Sequence, residues 1–399
     1  MSHTKHILLA SLLAFTSLHA TKPVIPEILN PEQTTNTNSL HSTFKRTGPT
    51  VQIGILLDTS GSMHGLIDQA KDQLWKIVNE VAKANKHNKD VTIQVGLFEY
   101  GKSSLPGFEG YLQMLSPLTS DLDKVSEELF QLRTNGGEEY AGKVILESVN
   151  RFVWSSHKDD LKLLIIAGNE SFAQGDVPYQ DAINKATQNN IIVNTIFCGN
   201  MRQGKRLEWT EGAKLGKGKY FNINHNDRRV YVATPYDDEI IILGTQLNHT
   251  YMSYGAKSER RAKMANVMKQ DSNSMSLSKS SYIERNIVKS KKQYTSSSTD
   301  LVDAYMADKS SIEKIQKDKL PDELKDKSDK EIKEIIEQKK KARVALQKEI
   351  KTLENKRAKY LVTKVNKDNK NLGSAIIQSI RKQAIENGFV FSNSYRGKE

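Results

Sequence analysis

The sequence has one cysteine among its 399 residues, so no disulfide bond can form within the chain. A fold without disulfides depends on its hydrophobic core, and a chain of this length can build one. Cys198 follows the apolar run 191–197 and is interpreted as a small buried hydrophobic residue. No apolar run after residue 20 is long enough to span a membrane. The composition, 37% hydrophobic and 27% charged, is typical of a soluble protein, and the length favours two domains.

The sequence also has little that indicates an enzyme. Its nine histidines form no His-x-x-x-His pair with an acidic partner, no Gly-x-Ser-x-Gly elbow occurs, and no phosphate-binding glycine-rich loop is expected. A nucleophilic serine in 59–62 would need a paired base, and a metal hydrolase would need an activated water and a general base. The sequence nominates neither, so we expect a binding protein and not an enzyme.

What the sequence does contain is a strand-like apolar run, 51–57, that stops abruptly at a polar turn. In an open parallel sheet, ligands collect beyond the carboxyl ends of the strands. Asp58, Ser60 and Ser62 alternate in this turn, and Gly61 allows the backbone to curl, so three oxygens can converge on one point. Hard oxygen donors suit Mg²⁺, Mn²⁺ or Ca²⁺. The alternative is that Asp58 and Ser60 only cap the next helix, which accounts for one oxygen and not for three.

The pattern Asp58-Thr59-Ser60-Gly61-Ser62 resembles the metal-ion-dependent adhesion site (MIDAS) of von Willebrand factor type A (VWA) domains. The resemblance implies that Asp58, Ser60 and Ser62 hold a divalent cation, most simply Mg²⁺, with Mn²⁺ or Ca²⁺ as alternatives. It also implies that an acidic side chain of a protein partner completes the cation's coordination.

Two further loops have places in the same resemblance. Thr134, just before Asn135-Gly136-Gly137, matches the threonine of the family's second loop. The third loop of the family supplies an aspartate, and here the turn reads Ala167-Gly168-Asn169-Glu170. Asn169 or Glu170 would then act as the ligand, directly or through water, while a simple turn residue is the alternative for Asn169. Glu138 and Glu139 either lie near the site or are solvated carboxylates at a helix start.

Strands and helices alternate along 51–250, which predicts an α/β fold with a doubly wound, mainly parallel sheet of the VWA and Rossmann-like type. A largely α-helical C-terminal region follows it. The predicted strands are 51–57, 91–98, 111–115 at an edge, 161–167, 191–197 and 220–223. The predicted helices are 64–84, 121–132, 140–154, 179–188, 205–215 and 236–247.

Charge divides the chain. Residues 51–250 carry 21 basic and 25 acidic residues, whereas 251–399 carry 34 basic and 20 acidic residues, a net charge of +14. Residues 251–300 are interpreted as a Ser/Lys-rich linker with a possible helix at 259–269, and 301–399 as a basic helical region. Within it, 329–364 is expected to form a long helix or a helical hairpin, with a dimeric coiled coil as an alternative, and 375–386 to form the last helix.

The first twenty residues have a Lys5-containing start, an apolar run at 7–18 and Ala20 as a cleavage point, which is typical of a secretory signal peptide. An N-terminal membrane anchor is the alternative. Residues 21–50 are interpreted as a flexible lead-in. Segments beyond the predicted domain, including 234–238, 247–251, 300–304 and 383–388, are similar to a group of exported bacterial proteins with one VWA domain and a basic helical C-terminal part. We therefore expect a periplasmic or secreted protein.

These observations favour a metal-dependent protein-binding module of the bacterial cell envelope, acting in adhesion or as a scaffold. The alternative is a polyanion-binding scaffold, in which the basic C-terminal helices attract an envelope polyanion, anionic lipid or nucleic acid and the VWA domain is a structural head. Two plainer interpretations of the basic region stay open: Lys and Glu alternate on solvated helices, or the region docks on the acidic domain of the same chain.

Overall fold

The computed structural model describes residues 48–223, 231–296, 298–364 and 372–391. The predicted signal peptide, 1–20, and the lead-in up to residue 47 lie outside these residues. The strands are β1 (Thr50–Asp58), β2 (Ala84–Lys86), β3 (Lys89–Asp90), β4 (Thr92–Tyr100), β5 (Leu112–Thr119), β6 (Leu161–Gly168), β7 (Ile191–Cys198), β8 (Lys217–Ile223) and β9 (Val390–Phe391).

Six of these strands form one sheet in the order β5-β4-β1-β6-β7-β8. All neighbouring pairs are parallel except β4 with β5, which lies antiparallel at the edge. The central strand β1 pairs with β4 and β6, and core clusters cover both of its faces, so its sequence is nearly continuous in apolar residues. Val51, Ile53 and Leu57 face one core cluster and Leu56 faces the other. The predicted mainly parallel sheet is confirmed.

Helices cover both faces of the sheet. Their bounds are α1 (His64–Val81), α2 (Leu122–Gln131), α3 (Ala141–Arg151), α4 (Tyr179–Gln188), α5 (Met201–Arg206), α6 (Trp209–Leu215), α7 (Asp237–Asn248), α8 (Lys257–Leu277), α9 (Lys279–Lys289), α10 (Leu301–Ala307), α11 (Asp329–Lys364) and α12 (Leu372–Glu386). Residues of α1, α2 and α12 share one core with the sheet, and residues of α3, α4 and α6 share the other. This is the doubly wound arrangement that the alternating pattern predicts.

One predicted helix, 205–215, is in fact two helices, α5 and α6. The chain breaks at Glu208, whose φ of 68° lies in the left-handed region. The Glu208 carboxylate accepts a hydrogen bond of 2.7 Å from the Tyr179 hydroxyl, which ties the break to α4. Apolar spacing alone does not reveal this break because residues on both sides face the sheet.

The segment 251–300 corrects the expectation of a linker. It contains α8 and α9, which pack against each other and against α1, α2 and α7. Ile283, Ile287 and Val288 of α9 are buried. The interface also buries polar side chains, including Gln270, Ser281 and Asn286, and for this reason the Ser- and Lys-rich composition conceals the packed helices.

Buried ion pairs join the basic C-terminal region to the acidic sheet domain. Arg285 of α9 donates to Asp123 of α2 at 2.7 Å and to Asp271 of α8 at 2.6 Å. Arg357 of α11 donates to Asp237 of α7 at 2.9 Å. The hypothesis that the basic region docks on the acidic domain of the same chain is therefore confirmed, and the described residues form one compact unit.

The predicted long helix 329–364 is confirmed as the single helix α11. Its buried apolar residues are used within the chain: Ile332 and Ile336 pack in a cluster with α10, while Ile350 and Leu353 pack with α7 and α9. A dimeric coiled coil stays a prediction. Arg343, in the middle of the helix, is buried between Asp300 and Thr250, with its guanidinium 2.6 Å from Asp300.

The last helix, α12, ends before Gly388, whose φ is +80°. Beyond it β9 pairs antiparallel with β2, so this part of the chain returns to the sheet domain near the end of α1. No helix among the described residues is long and apolar enough to cross a bilayer.

Candidate metal site

The first loop of the site begins where β1 ends. Asp58 is completely buried at the carboxyl edge of the sheet, and its Oδ1 accepts a hydrogen bond of 2.7 Å from the backbone N–H of Ser60. Gly101 covers it from the end of β4: a Cβ there would lie 2.8 Å from Asp58 Oδ1, and its φ is +80°. A glycine is required at this position because a side chain would displace the carboxylate.

The alternating oxygens converge as the sequence predicts. The hydroxyls of Ser60 and Ser62 lie 3.0 Å apart, and the Ser62 hydroxyl donates to Asn169 Oδ1 at 3.1 Å. Asn169 follows β6, the parallel neighbour of β1, so both loops leave the sheet at the same edge. The side chain of Asn169 therefore belongs to the site and does more than form a turn.

The second loop lies against the first. The N–H of Asn135 donates to the carbonyl of Thr59 at 3.0 Å, and the N–H of Ser103 donates to the carbonyl of Gly136. Thr134, half-buried, directly precedes the residue that makes the first of these bonds. These contacts put Thr134 beside the first loop, as the resemblance implies.

Glu139 is a member of the site that the predicted ligand set omits. It is only 8% exposed, and a Cβ on Gly101 would lie 2.9 Å from its Cγ, so Gly101 separates it from Asp58. The pair Glu138-Glu139 after two glycines is the sequence signal. Glu138 is exposed and accepts a hydrogen bond of 2.7 Å from Gln174, which places it on the surface. Only structure distinguishes the two.

Glu170 is exposed, and its backbone carbonyl accepts a hydrogen bond of 2.7 Å from the Trp209 indole. Its carboxylate is near enough for its charge to raise the pKa of both Asp58 and Glu139. Glu170 thus acts on the site through its charge, whereas Asn169 makes the direct contact with the Ser62 hydroxyl.

The carboxyl groups in this site have unusual acidities. Burial raises the pKa of Asp58 to about 7, with a further increase from the charge of Glu170, although the hydrogen bonds from Ser60 and Asn169 oppose this change. Burial, followed by the charges of Asp58 and Glu170, raises the pKa of Glu139 to about 7 as well. Two buried carboxyls therefore compete for protons or for a cation near neutral pH.

The residues present fit a hard divalent cation. Asp58 Oδ2 is buried and has no hydrogen-bond partner among the residues that the structure describes. Next to it lie two serine hydroxyls and an amide oxygen, all of them hard donors. Within the described ranges, no group of three or more His, Cys, Asp or Glu side chains could hold a metal ion. The donor set is therefore a mixed one of carboxylate, hydroxyl and amide.

One sequence pattern needs a correction. Residues 96–103, GLFEYGKS, do have the Gly-x-x-x-x-Gly-Lys-Ser spacing of a phosphate-binding loop. Residues 96–100 belong to the buried strand β4 and are not a loop, and the Lys102 ammonium lies 3.6 Å from the Glu99 carboxylate. The pattern thus does not form a phosphate cradle here, because such a loop must follow a strand and open a helix.

Comparison with known families agrees with this geometry. The family model of the von Willebrand factor type A domain matches residues 52–227. This chain contains a VWA domain. The match covers the sheet and its loops, including every residue of the candidate site, and VWA domains commonly act as metal-dependent adhesion or protein-interaction modules.

Solved structures similar to the chain include BatB from Bacteroides thetaiotaomicron, at 15% identity and a TM-score of 0.34, covering 56% of this chain and 99% of that one. An aerotolerance-related membrane protein from Bacteroides fragilis matches at 17% identity and a TM-score of 0.31, over 43% of this chain and 91% of that one. Proximal thread matrix protein 1 of the mussel byssus, solved with a zinc-occupied MIDAS motif, matches at 11% identity and a TM-score of 0.35, over 45% and 43%. No curated protein matches the chain.

Proposed function

We propose that this protein is a cation-dependent protein-binding module of the cell envelope, acting through the carboxyl edge of its VWA sheet. The observation that carries the proposal is the buried, unpartnered Oδ2 of Asp58 beside the hydroxyls of Ser60 and Ser62. Asp58, Ser60, Ser62, Thr134 and Asn169 would hold the ion, with Mg²⁺ as the first candidate and Mn²⁺ or Ca²⁺ as alternatives.

When bound, the cation would supply a positive charge and an open coordination position for an acidic side chain of the partner. The chain's own residues do the remaining work. The hydrogen bond from the backbone N–H of Ser60 fixes the Asp58 carboxylate, and Gly101 closes the site from the β4 side. The hydrogen bond from the Ser62 hydroxyl to Asn169 joins the first and third loops. Glu139 and Glu170 add negative charge that favours cation binding over an empty site.

The same arrangement supports binding and not catalysis. Its hydroxyls face each other and a carboxylate, which is how ligand donors are arranged, and Cys198 is a buried thiol whose pKa is raised by burial and by Asp58. Export to the periplasm or the medium is part of the proposal and is supported by the first twenty residues of the sequence.

The test is a calorimetric titration of Mg²⁺, Mn²⁺ and Ca²⁺ into the full chain and into its Asp58→Asn variant. We expect the intact protein to bind one ion and the variant to lose binding. Asp181→Asn, an exposed carboxylate in α4, removes the same charge away from the site and should bind as the intact protein does. Binding that survives Asp58→Asn would contradict the proposal.

Partner binding is tested separately, on envelope proteins captured by the immobilised chain with Mg²⁺ and then with EDTA. Proteins released by EDTA and not captured by Asp58→Asn support a cation-dependent interaction. Capture that depends on neither the chelator nor Asp58 would mean that the metal site is not the binding surface.

A further inference from the structure

A polar groove lies on the side of the molecule where the end of α1 and the strand β2 meet α11. It has a volume of about 580 Å³, within the range of ligand-binding clefts. We name it the lysine groove, because five lysines line it: Lys83, Lys291, Lys292, Lys348 and Lys351. Two carboxylates, Asp90 and Glu354, share the lining, so the charged side chains leave an excess of three positive charges.

The base of the groove is built from one carboxylate and two ammonium groups. Glu354 is only 12% exposed, and its oxygens lie 2.9 and 3.1 Å from the Lys291 ammonium and 3.9 Å from that of Lys83. Lys83 is also paired with Glu80, at 3.1 Å, so carboxylates compensate both ammonium groups at the base. The uncompensated positive charge of the groove therefore lies at its rim.

Two lysines of the rim carry charges that are not compensated within the described part of the chain. Lys348 and Lys351 are exposed on α11, three residues apart and thus on the same face of the helix, and neither forms an ion pair with any described residue. Lys292 is 84% exposed and lies 3.0 Å from Asp90, a surface pair that water and salt weaken. A multivalent anion could be contacted from the base and from both sides.

The remaining lining suits phosphate groups. Four side-chain amides line the groove, those of Asn85, Gln293, Gln347 and Asn355, and among its described lining residues there is no arginine. Lysine binds phosphate as a point charge, which does not require the planar two-bond match that arginine makes with a carboxylate or a phosphate. Amide groups can hydrogen-bond both the oxygens of phosphate and the hydroxyl groups attached to it.

The groove extends beyond a single anion. A second cavity of about 410 Å³ shares Asp90, Lys292 and Gln293 with it, and Lys89 lines its far part. Lysines therefore occur along two adjoining cavities, which suits a ligand with charges at more than one point.

We propose that the lysine groove binds a phosphorylated ligand that carries at least two phosphate groups. This function is independent of the cation site. It also places the basic site on residues of both the VWA domain and the C-terminal helices, and not on the C-terminal helices alone.

The probe is inorganic tripolyphosphate, titrated calorimetrically into the full chain in EDTA, so that the cation site does not contribute. The test variant is Lys348→Gln/Lys351→Gln, which keeps good helix formers at two exposed positions and should fold normally. We expect it to bind tripolyphosphate about tenfold more weakly, because two nearby charges are removed.

The matched control is Lys356→Gln/Lys359→Gln. These lysines are exposed on the same helix with the same spacing, outside both cavities, and the net charge change is identical. The proposal predicts a change of less than about twofold for this control. Equal weakening by both double variants would show attraction by overall charge and would overturn the proposal, as would the absence of binding by the intact protein.

The phosphate groups could belong to a free ligand or to lipid headgroups, so a second arm uses vesicles of phosphatidylglycerol with phosphatidylcholine vesicles as the reference. Tripolyphosphate binding without vesicle binding identifies a free ligand. Vesicle binding that tripolyphosphate displaces and Lys348→Gln/Lys351→Gln weakens identifies a headgroup. Vesicle binding that neither affects would overturn the assignment to this groove.

Discussion

Two regions of the molecule bury carboxylates, and they shift the pKa values of these groups in opposite directions. At the interface between α2, α8 and α9, burial alone would raise the pKa of Asp123, but the charge of Arg285 and the Tyr294 hydroxyl hold it below its usual value. The charges of Lys289 and Arg285 likewise hold the pKa of Asp271 below its usual value, although burial alone would raise it. At the carboxyl edge of the sheet, Asp58 has serine and amide groups around it, and its pKa rises to about 7.

The difference arises from where the chain places its buried arginine side chains. Arg285 and Arg357 are buried against carboxylates of the sheet domain and join the C-terminal helices to it, while Arg343 is buried against Asp300 within the C-terminal part. None of these arginines lies at Asp58. The C-terminal interface is thus electrostatically complete, whereas the site at Asp58 is compensated only by a proton or by an external cation.

The largest effect on stability is expected when the buried ion pairs of the C-terminal interface are broken. Arg285→Met removes the partner of Asp123 and Asp271 and leaves buried carboxylates, which should lower the free energy of unfolding by about 3–5 kcal/mol. Urea unfolding measures it. Lys269→Met breaks an exposed pair with Glu127 between the same two parts of the chain and should cost less than about 1 kcal/mol. Equal effects would mean that the buried network does not hold the parts together.

The second prediction concerns the addition of a cation to the site at Asp58. At pH 8, Mg²⁺ at about one hundred times its dissociation constant should stabilise the intact protein by about 2.7 kcal/mol relative to EDTA. Asp58→Asn should show no such gain. Thermal unfolding with and without the ion provides the measurement, and a gain that persists in Asp58→Asn would place the stabilising ion elsewhere.

The third prediction concerns pH in EDTA. Because the folded pKa of Asp58 is raised from 3.8 to about 7, the native carboxyl holds its proton where the unfolded chain has lost it. Its contribution to stability is full below pH 4 and is lost as the pH rises through 7. Between pH 5 and pH 7 the loss is about 2 kcal/mol. Asp58→Asn should lose correspondingly less, and identical pH profiles for the two proteins would contradict the prediction.

The smallest effect should come from Glu139, the carboxylate whose role the sequence leaves undecided. Glu139→Gln removes a charge near Asp58 and should weaken Mg²⁺ binding roughly tenfold. Glu138→Gln, its exposed neighbour, is the matched control and should change the affinity less than about twofold. Calorimetry at pH 8 compares them, and equal effects would remove Glu139 from the site.

Much of the site could be predicted from local sequence. Asp58, Ser60 and Ser62 alternate within one turn after an apolar strand, so their convergence requires only local geometry and a parallel sheet. The sequence allows two interpretations of Asn169, since a turn asparagine is common and its hydrogen bond with Ser62 depends on the pairing of β1 with β6. The sequence leaves the role of Glu139 undecided because nothing in it shows that Gly101 packs between Glu139 and Asp58.

The C-terminal region was harder, and for a physical reason. Helix α8 buries Gln270, Asp271 and Ser274, so its inward face has no apolar stripe for a periodicity argument to find. Such polar residues can be buried because residues from distant parts of the chain form hydrogen bonds with them, as Ser126 does with Gln270. Composition therefore indicated a linker where the structure has two packed helices.

By itself the sequence determined the alternating strands and helices, the helical character of 329–364 and the first loop of the site, because each depends on residues close together in the chain. Tertiary structure decided which charges are paired. Lys291 and Lys348 read alike in a basic segment, yet one sits against Glu354 at the base of a groove and the other is exposed on its rim. Charge pairing depends on distances across the fold, and those distances are fixed only when the sheet domain and the C-terminal helices have packed together.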